Sequence, residues 1–218
     1  MTPSQPPSAT LQPAARRPIP LIGIVGGIGA GKSEVARILV RHGCIHSNSD
    51  AEARIALEQP AIRDTLAGWW GSEILDADGK VDRAAVARRI FAQPEERRRL
   101  EQLVHPLIHA ARQRTVREAE ASGAKAVIVD APLLFEAGVD RECDAVIFVE
   151  APESQRRARV AASRGWTDED LTRREAAQLP LDDKRQRSSH VIANSGSFAE
   201  LEAATVHVLD NILKDWRT

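Results

Sequence analysis

An apolar run, Leu21-Ile22-Gly23-Ile24-Val25, leads directly into Gly26-Gly27-Ile28-Gly29-Ala30-Gly31-Lys32-Ser33, and this stretch constrains the chain more than any other. The octet has the spacing G-x-x-x-x-G-K-S. Behind it, Val35, Ala36, Ile38, Leu39 and Val40 repeat as one face of a helix that ends at Gly43. Strand, glycine turn and helix in that order give the motif its meaning. Glycines let the backbone turn tightly and aim its N–H groups inward, which makes an anion nest at a helix N-terminus. Lys32 can then reach β- and γ-phosphates, and the Ser33 hydroxyl can face Mg²⁺. The segment therefore predicts a nucleoside triphosphate site built from Gly27, Ile28, Gly29, Ala30, Gly31, Lys32 and Ser33. A dinucleotide fingerprint is the competing reading, because Gly27-x-Gly29 is followed by Asp50 about 20 residues on. That fingerprint needs a third glycine where this chain has Lys32, and the lysine decides against it.

Further strand-like runs follow at Cys44–Ser49, Ala126–Asp130, Ala145–Val149 and, more weakly, His190–Ala193. Helical patterns separate them, among them Leu107–Ala121, Glu153–Ser163 and Phe198–Leu213. Alternation of this kind predicts an α/β fold, a parallel central sheet covered on both faces. Two stretches depart from the alternation. From Asp50 to about Ala121 the chain is helical and basic, with nine arginines against three acids between Arg83 and Arg117. The Glu95-Glu96-Arg97-Arg98-Arg99 cluster fits a solvated helix face, while a basic insertion beside a phosphate loop suits a second anionic substrate. From Arg156 to Arg187, helical pieces broken at Gly165 and Pro180 could form a lid over transferred phosphate.

With 218 residues the chain can bury one sizeable core, and a net charge of −1 argues against a general nucleic-acid or membrane binder. Its two cysteines, Cys44 and Cys143, are far apart and flank apolar strands. That favours buried thiols in a reducing, cytoplasmic setting over a disulfide framework or zinc site. Residues 1–20 hold six of the twelve prolines and no acid. Arg16-Arg17 is compatible with a targeting signal, but the prolines forbid an amphipathic helix, so residues 1–19 read as a disordered tail. No apolar run approaches the length of a membrane span.

Asp50 closes the second strand, where a carboxylate could take a proton from an acceptor hydroxyl; it could equally cap the helix that follows. Asp130 closes the third, the place for a second magnesium-side carboxylate or for a turn before Pro132. His105, before Pro106, stands at an expected joint between helices, where a structural histidine is the usual case. The tryptophans at 69, 70, 166 and 216 are expected to pack.

Taken together these blocks resemble the dephospho-coenzyme A kinase family from Leu21 to about Asn211. The opening Gly23-Ile24-Val25-Gly26-Gly27-Ile28-Gly29-Ala30-Gly31-Lys32-Ser33 is similar to the family's G-L-T-G-G-I-G-S-G-K-S. Asn48-Ser49-Asp50 with Arg54 matches a D-x-D-x-x-x-R element. Ile90-Phe91-Ala92-Gln93-Pro94-Glu95, His105-Pro106-Leu107-Ile108 and Asp130-Ala131-Pro132-Leu133-Leu134-Phe135-Glu136 follow in the family's order. So does Arg174-x-Ala176-Ala177-Gln178 with Lys184 and Val191-Ile192-x-Asn194. The resemblance implies a P-loop kinase-like three-layer fold in a single unit over 20–218. Its core would take in about 20–50, 122–152 and 188–218, with an acceptor-binding helical insertion over about 51–121 and a lid over about 153–187.

It also implies ATP- and Mg²⁺-dependent phosphorylation of the ribose 3′-hydroxyl of dephospho-coenzyme A, the last step of coenzyme A synthesis; the expected partners are these small-molecule substrates, with no nucleic acid, no membrane and no obligate protein partner evident. Under the resemblance Asp50 is the base, Lys32 and Ser33 contact triphosphate and metal, and Asp130 is the further metal-side acid. Arg54, His105, Pro132, Leu133, Leu134 and Glu136 lie near the acceptor, and Arg159 and Arg164 fall in the lid. Four positions depart from the family pattern: Asn48 for an aspartate, Val25 for a threonine, and Ser189 and Ala193 where acids are common. Two alternatives share part of this reading. One is another P-loop kinase acting on nucleoside monophosphates or shikimate; the other is a nucleotide-dependent switch, for which no Thr or Gln stands at switch-like spacing.

Overall fold

The computed structural model describes residues 17–217; the tail expected over 1–19 lies mostly outside them. Arg17 and Ile19, at its end, are packed: Arg17 Nη2 donates to Asp144 Oδ2 at 2.9 Å, and Ile19 is buried.

Five strands form the sheet: β1 (Leu21–Gly26), β2 (Ile45–Asn48), β3 (Val127–Asp130), β4 (Ala145–Glu150) and β5 (His190–Ala193). Their order is β2-β3-β1-β4-β5 and every pair is parallel. Parallel strands need crossovers, and helices supply them. The expected strands are the observed ones, because each is an apolar run whose two faces both find cover. On one face Ile22, Ile24, Ile128, Ile147 and Ile192 pack against α1 (Lys32–Arg41) and α9 (Phe198–Arg217). On the other, Leu21, Val25, Val127, Val129, Val146 and Phe148 meet Leu134, Phe135, Val116 and Ala119. Alternate residues of one strand thus serve opposite layers.

Between β2 and β3 lie α2 (Ser49–Glu58), α3 (Pro60–Trp70), α4 (Arg83–Ala92) and α5 (Pro94–Ser122). They enclose a core of their own, in which Ile62, Leu66, Trp70, Ile74 and Val86 are buried. Trp69 and Trp70 pack edge to face there, and Trp70 Nε1 donates to Glu96 Oε2 at 2.8 Å. The basic run is largely neutralised along its own surface, with Arg97–Glu101, Arg98–Glu95 and Arg99–Glu96 paired at one-turn spacing.

The joint expected at His105-Pro106 is absent. Pro106 lies inside one continuous helix, α5. Proline removes one intrahelical bond, but Gln102, His105 and Pro106 are all exposed, so the loss falls on the solvent side of the helix, where water can replace the bond, and the helix continues. Between β4 and β5, α6 (Glu153–Arg164) ends at Gly165 in the left-handed region. There follow α7 (Asp168–Glu175), which opens on a Thr167/Asp170 capping box, and α8 (Leu181–Gln186), which starts after Pro180.

Candidate active site

All five strands end on one edge, and register sets the groups there. Ile24 pairs with Asp130, Asp130 with Asn48, and Gly26 with Val149. Gly26 has φ 145°, and a Cβ on it would lie 2.4 Å from Val149 O. Gly31, φ 99°, begins α1 without a side-chain cap. Among the described residues the N–H groups of Gly29, Gly31, Lys32 and Ser33 donate to no protein acceptor. Uncapped amides at a helix N-terminus, with glycines holding side chains away, form a cradle for an anion.

Lys32 Nζ donates to Gly26 O at 2.9 Å and Gly27 O at 3.0 Å. Burial lowers its pKa to about 8; Asp130 opposes that shift, while Lys184, Arg164 and Arg156 add to it. The ammonium is held among cations, an arrangement that a bound polyanion relieves.

Across the edge, Asn48 Oδ1 accepts from Ala51 N at 2.9 Å and so caps α2. The capping role open to Asp50 therefore falls to Asn48, and Asp50 stands in the first turn with its carboxylate unused by the backbone. Although Asp50 lies open to solvent, partial burial of its carboxyl and the nearby Asp130 carboxylate raise its pKa; Arg54 acts in the opposite sense. Asp130 in turn lies 3.5 Å from His46 Nε2. Two coupled carboxylates facing a phosphate cradle are suited to a proton and a cation on adjacent oxygens.

Beside the Asp50 carboxylate, the oxygen donors on this edge include the Ser33 hydroxyl and the Asp130 carboxylate. No cluster of three or more metal-ligating side chains exists among the described residues. That set fits Mg²⁺, which binds one or two protein oxygens together with substrate phosphates rather than an all-protein cage.

Several expected site residues serve the scaffold. Leu134 is fully buried against Gly23, so it packs the sheet and is closed to a ligand; Pro132 is exposed and Leu133 partly so. His105 is exposed on α5, and its imidazole makes no hydrogen bond among the described residues. Glu136 Oε1 accepts from Leu179 N at 2.8 Å and lies 3.0 Å from Lys184 Nζ. Burial alone would raise its pKa, but bonds from Leu179 N, from its own N–H and from Lys184 outweigh that and hold it below the usual carboxylate value. Arg159 reaches Gly29 O at 3.5 Å and donates to Gln155 Oε1 and Asn194 O, each at 3.1 Å, so it braces the loop from behind. Arg54 and Arg164 are exposed.

Three buried cations were not legible as site residues. Arg156 is buried beneath the loop, its Nη1 bonded to Ile28 O at 3.2 Å and paired with Glu175. Arg112, 2% exposed, joins Ser49 Oγ at 3.3 Å to Glu142 Oε2 at 2.9 Å, linking α5 to the start of α2. Lys184 also donates to Gln178 Oε1 at 2.9 Å. The one available signal was helical spacing: Arg156 stands one turn before the buried Val160. Both cysteines are unpaired, and burial pushes each thiol up to about 12, so they are not nucleophiles.

A parallel sheet in this strand order, with a glycine cradle after its central strand, a helical insertion and a helical lid, defines the class of small phosphate-loop kinases. Within that class the chain belongs to the dephospho-CoA kinase family, whose sequence profile matches residues 20–200. It is similar to the dephospho-CoA kinase of Deinococcus radiodurans, 40% identical over 202 residues that span 93% of this chain and 94% of that one. The corresponding enzyme of Corynebacterium glutamicum is 38% identical over 194 residues, 88% of this chain and 96% of its own. Among solved structures, TT1252 from Thermus thermophilus superposes with a TM-score of 0.77 at 37% identity, covering 90% of this chain and 98% of that chain. The dephospho-CoA kinase of Campylobacter jejuni shares the fold, with a TM-score of 0.67 at 22% identity over 89% of this chain and 98% of its own.

Proposed function

We propose that this protein transfers the γ-phosphoryl group of ATP to the ribose 3′-hydroxyl of dephospho-coenzyme A, giving coenzyme A and ADP. The observation that carries this reading is the amide cradle and Lys32 facing the Asp50–Asp130 carboxylate pair, in a chain that belongs to this family over residues 20–200.

In this reading Lys32 exchanges the Gly26 and Gly27 carbonyls for β- and γ-phosphate oxygens, and the free amides of the loop hold the β-phosphate. Asp50 orients the acceptor hydroxyl and takes its proton as the new O–P bond forms and the bond to ADP breaks. Its raised pKa brings it nearer the value a base needs at neutral pH. Arg54, one turn along α2 on the same helix, faces the acceptor's own phosphates. Ser33 and Asp130 would hold Mg²⁺, which neutralises charge on the triphosphate when bound. Helices α2–α5 supply the acceptor side, and α6–α8 exclude water from above.

The test is direct: incubate the protein with MgATP and dephospho-coenzyme A and follow the acceptor by mass spectrometry. A gain of one phosphate at the 3′ position is expected. Transfer to nucleoside monophosphates or shikimate in its place would overturn the acceptor assignment.

A further inference from the structure

The segment 153–187, from α6 to the residue that caps α8, carries nine cations, and how they are partnered separates two from the rest. Arg156 pairs with Glu175, Arg157 with Glu153 and Asp168, and Arg173 with Asp170. Lys184 pairs with Glu136, Arg185 with Glu150 and Arg187 with Asp140. Arg159 is bonded to carbonyl and amide oxygens. Arg164 and Arg174 have neither a carboxylate nor a carbonyl partner among the described residues. Both lie over one ring, that of Trp166, with Cζ 4.8 Å and 4.1 Å from its centroid. Trp166 itself sits between the left-handed Gly165 that ends α6 and the Thr167 cap that begins α7, so both flanks of its backbone are fixed.

An indole face and a carboxylate hold a guanidinium differently. A carboxylate takes up the N–H edge and cancels the charge, and a phosphate must compete with it for both. A ring attracts the flat face of the guanidinium and leaves its five N–H donors and its full charge available at the edge. Arg164 is near enough to the phosphate loop for its charge to act on Lys32.

We infer that Trp166 is a positioning residue for phosphoryl transfer: its indole holds Arg164, beside the phosphate loop, and Arg174, stacked on the same ring, oriented and un-neutralised, ready to donate to the polyanion. The inference rests on the proposed kinase reading for its catalytic part. Trp166 touches no reacting atom in this scheme and acts through the two arginines.

Trp166→Leu removes the ring and keeps the bulk. Loss of two stacking contacts predicts a fall in kcat of about tenfold, with KM for dephospho-coenzyme A within about twofold of the parent. Trp166→Phe keeps a π face and should restore most of the rate. In an Arg164→Ala, Arg174→Ala background, Trp166→Leu should have no further effect, because the groups it acts through are gone. A spectroscopic arm needs no acceptor at all: a non-hydrolysable MgATP analogue should change the tryptophan emission of the parent, and Trp166→Phe should lose that change. Parental kcat in Trp166→Leu, a full additive loss in the arginine-free background, or an emission change that survives Trp166→Phe would each overturn the inference. If the emission responds but dephospho-coenzyme A is not phosphorylated, the acceptor reading fails while the positioning of the arginines stands.

Discussion

A lysine whose ammonium is drawn into its own loop titrates in a range where most lysines are silent. Lys32 has a pKa of about 8 because burial disfavours its charged form and three neighbouring cations add to that, against the pull of Asp130. Its folded value lies below the unfolded one, so the penalty for holding it charged is present below pH 8. Stability therefore gains as pH rises from 8 towards 10.5. A bound triphosphate reverses the preference, so nucleotide binding above pH 8 must take up a proton. Calorimetry in buffers of different ionisation enthalpy should show that uptake, and affinity should fall by about tenfold per pH unit on the alkaline side. Asp50 moves in the other direction: partial burial and Asp130 raise its pKa, so its ionised form is a cost to the fold at neutral pH. Asp50→Asn should lower kcat by about 10²–10⁴ and yet raise the melting temperature at neutral pH. The stability gain should close as the solution is taken below the carboxylate range, where the parent aspartate is protonated as well. Normal turnover in a folded Asp50→Asn would remove it from the role of base.

The lid is fastened by an ion pair whose two ends are unequally placed. Lys184 has 2% of its side chain exposed and Glu136 has 19%, so removing either strands the other in a different environment. Glu136→Ala leaves a buried ammonium with only Gln178 beside it and should cost about 3 kcal/mol. Lys184→Met leaves a carboxylate that still accepts from Leu179 N and reaches water, at about 1 kcal/mol. Because the Glu136 pKa lies below its ordinary value, the stability it contributes is present above the carboxylate range and is lost on acidification through its folded pKa. Urea midpoints at neutral and acid pH check both the order and the convergence. None of this pairing could be read from the chain, and the reason is general. An apolar run declares its own burial, which is why all five strands and the loop after β1 were legible. A charged residue declares only its charge, so the chain did not mark Arg112, Arg156 and Lys184 as buried, although each is buried against a partner distant in sequence. Leu134 misled in the opposite way, since a family motif marked it for a ligand when its neighbour is Gly23. Pro106 misled because a proline reports a lost bond, whereas whether a helix breaks depends on whether the freed carbonyl faces water.

Two cores lie on the two faces of the sheet and a third is enclosed by α2 to α5; in the proposed reading the first two belong to the nucleotide side and the third to the acceptor side. They share one long helix. The C-terminal half of α5 lends Val116 and Ala119 to the sheet, and its N-terminal half lends Leu100, Leu103 and Leu107 to the insertion. Arg112 lies between those halves and ties the same helix to Ser49, next to Asp50. Damage in the third core should therefore reach the acceptor chemistry through α5 and α2 and leave the phosphate cradle intact. Leu66 is fully buried at the centre of that core, so Leu66→Ala should cost about 2–5 kcal/mol. Trp69 and Trp70 line the same cluster, and their emission should report local loosening in Leu66→Ala at denaturant concentrations where far-UV circular dichroism of the sheet body is unchanged. Affinity for a MgATP analogue should stay near the parental value while turnover of dephospho-coenzyme A drops. Equal loss of both would mean that the insertion and the sheet body unfold as one unit, and that α5 couples them too tightly for the acceptor side to open alone.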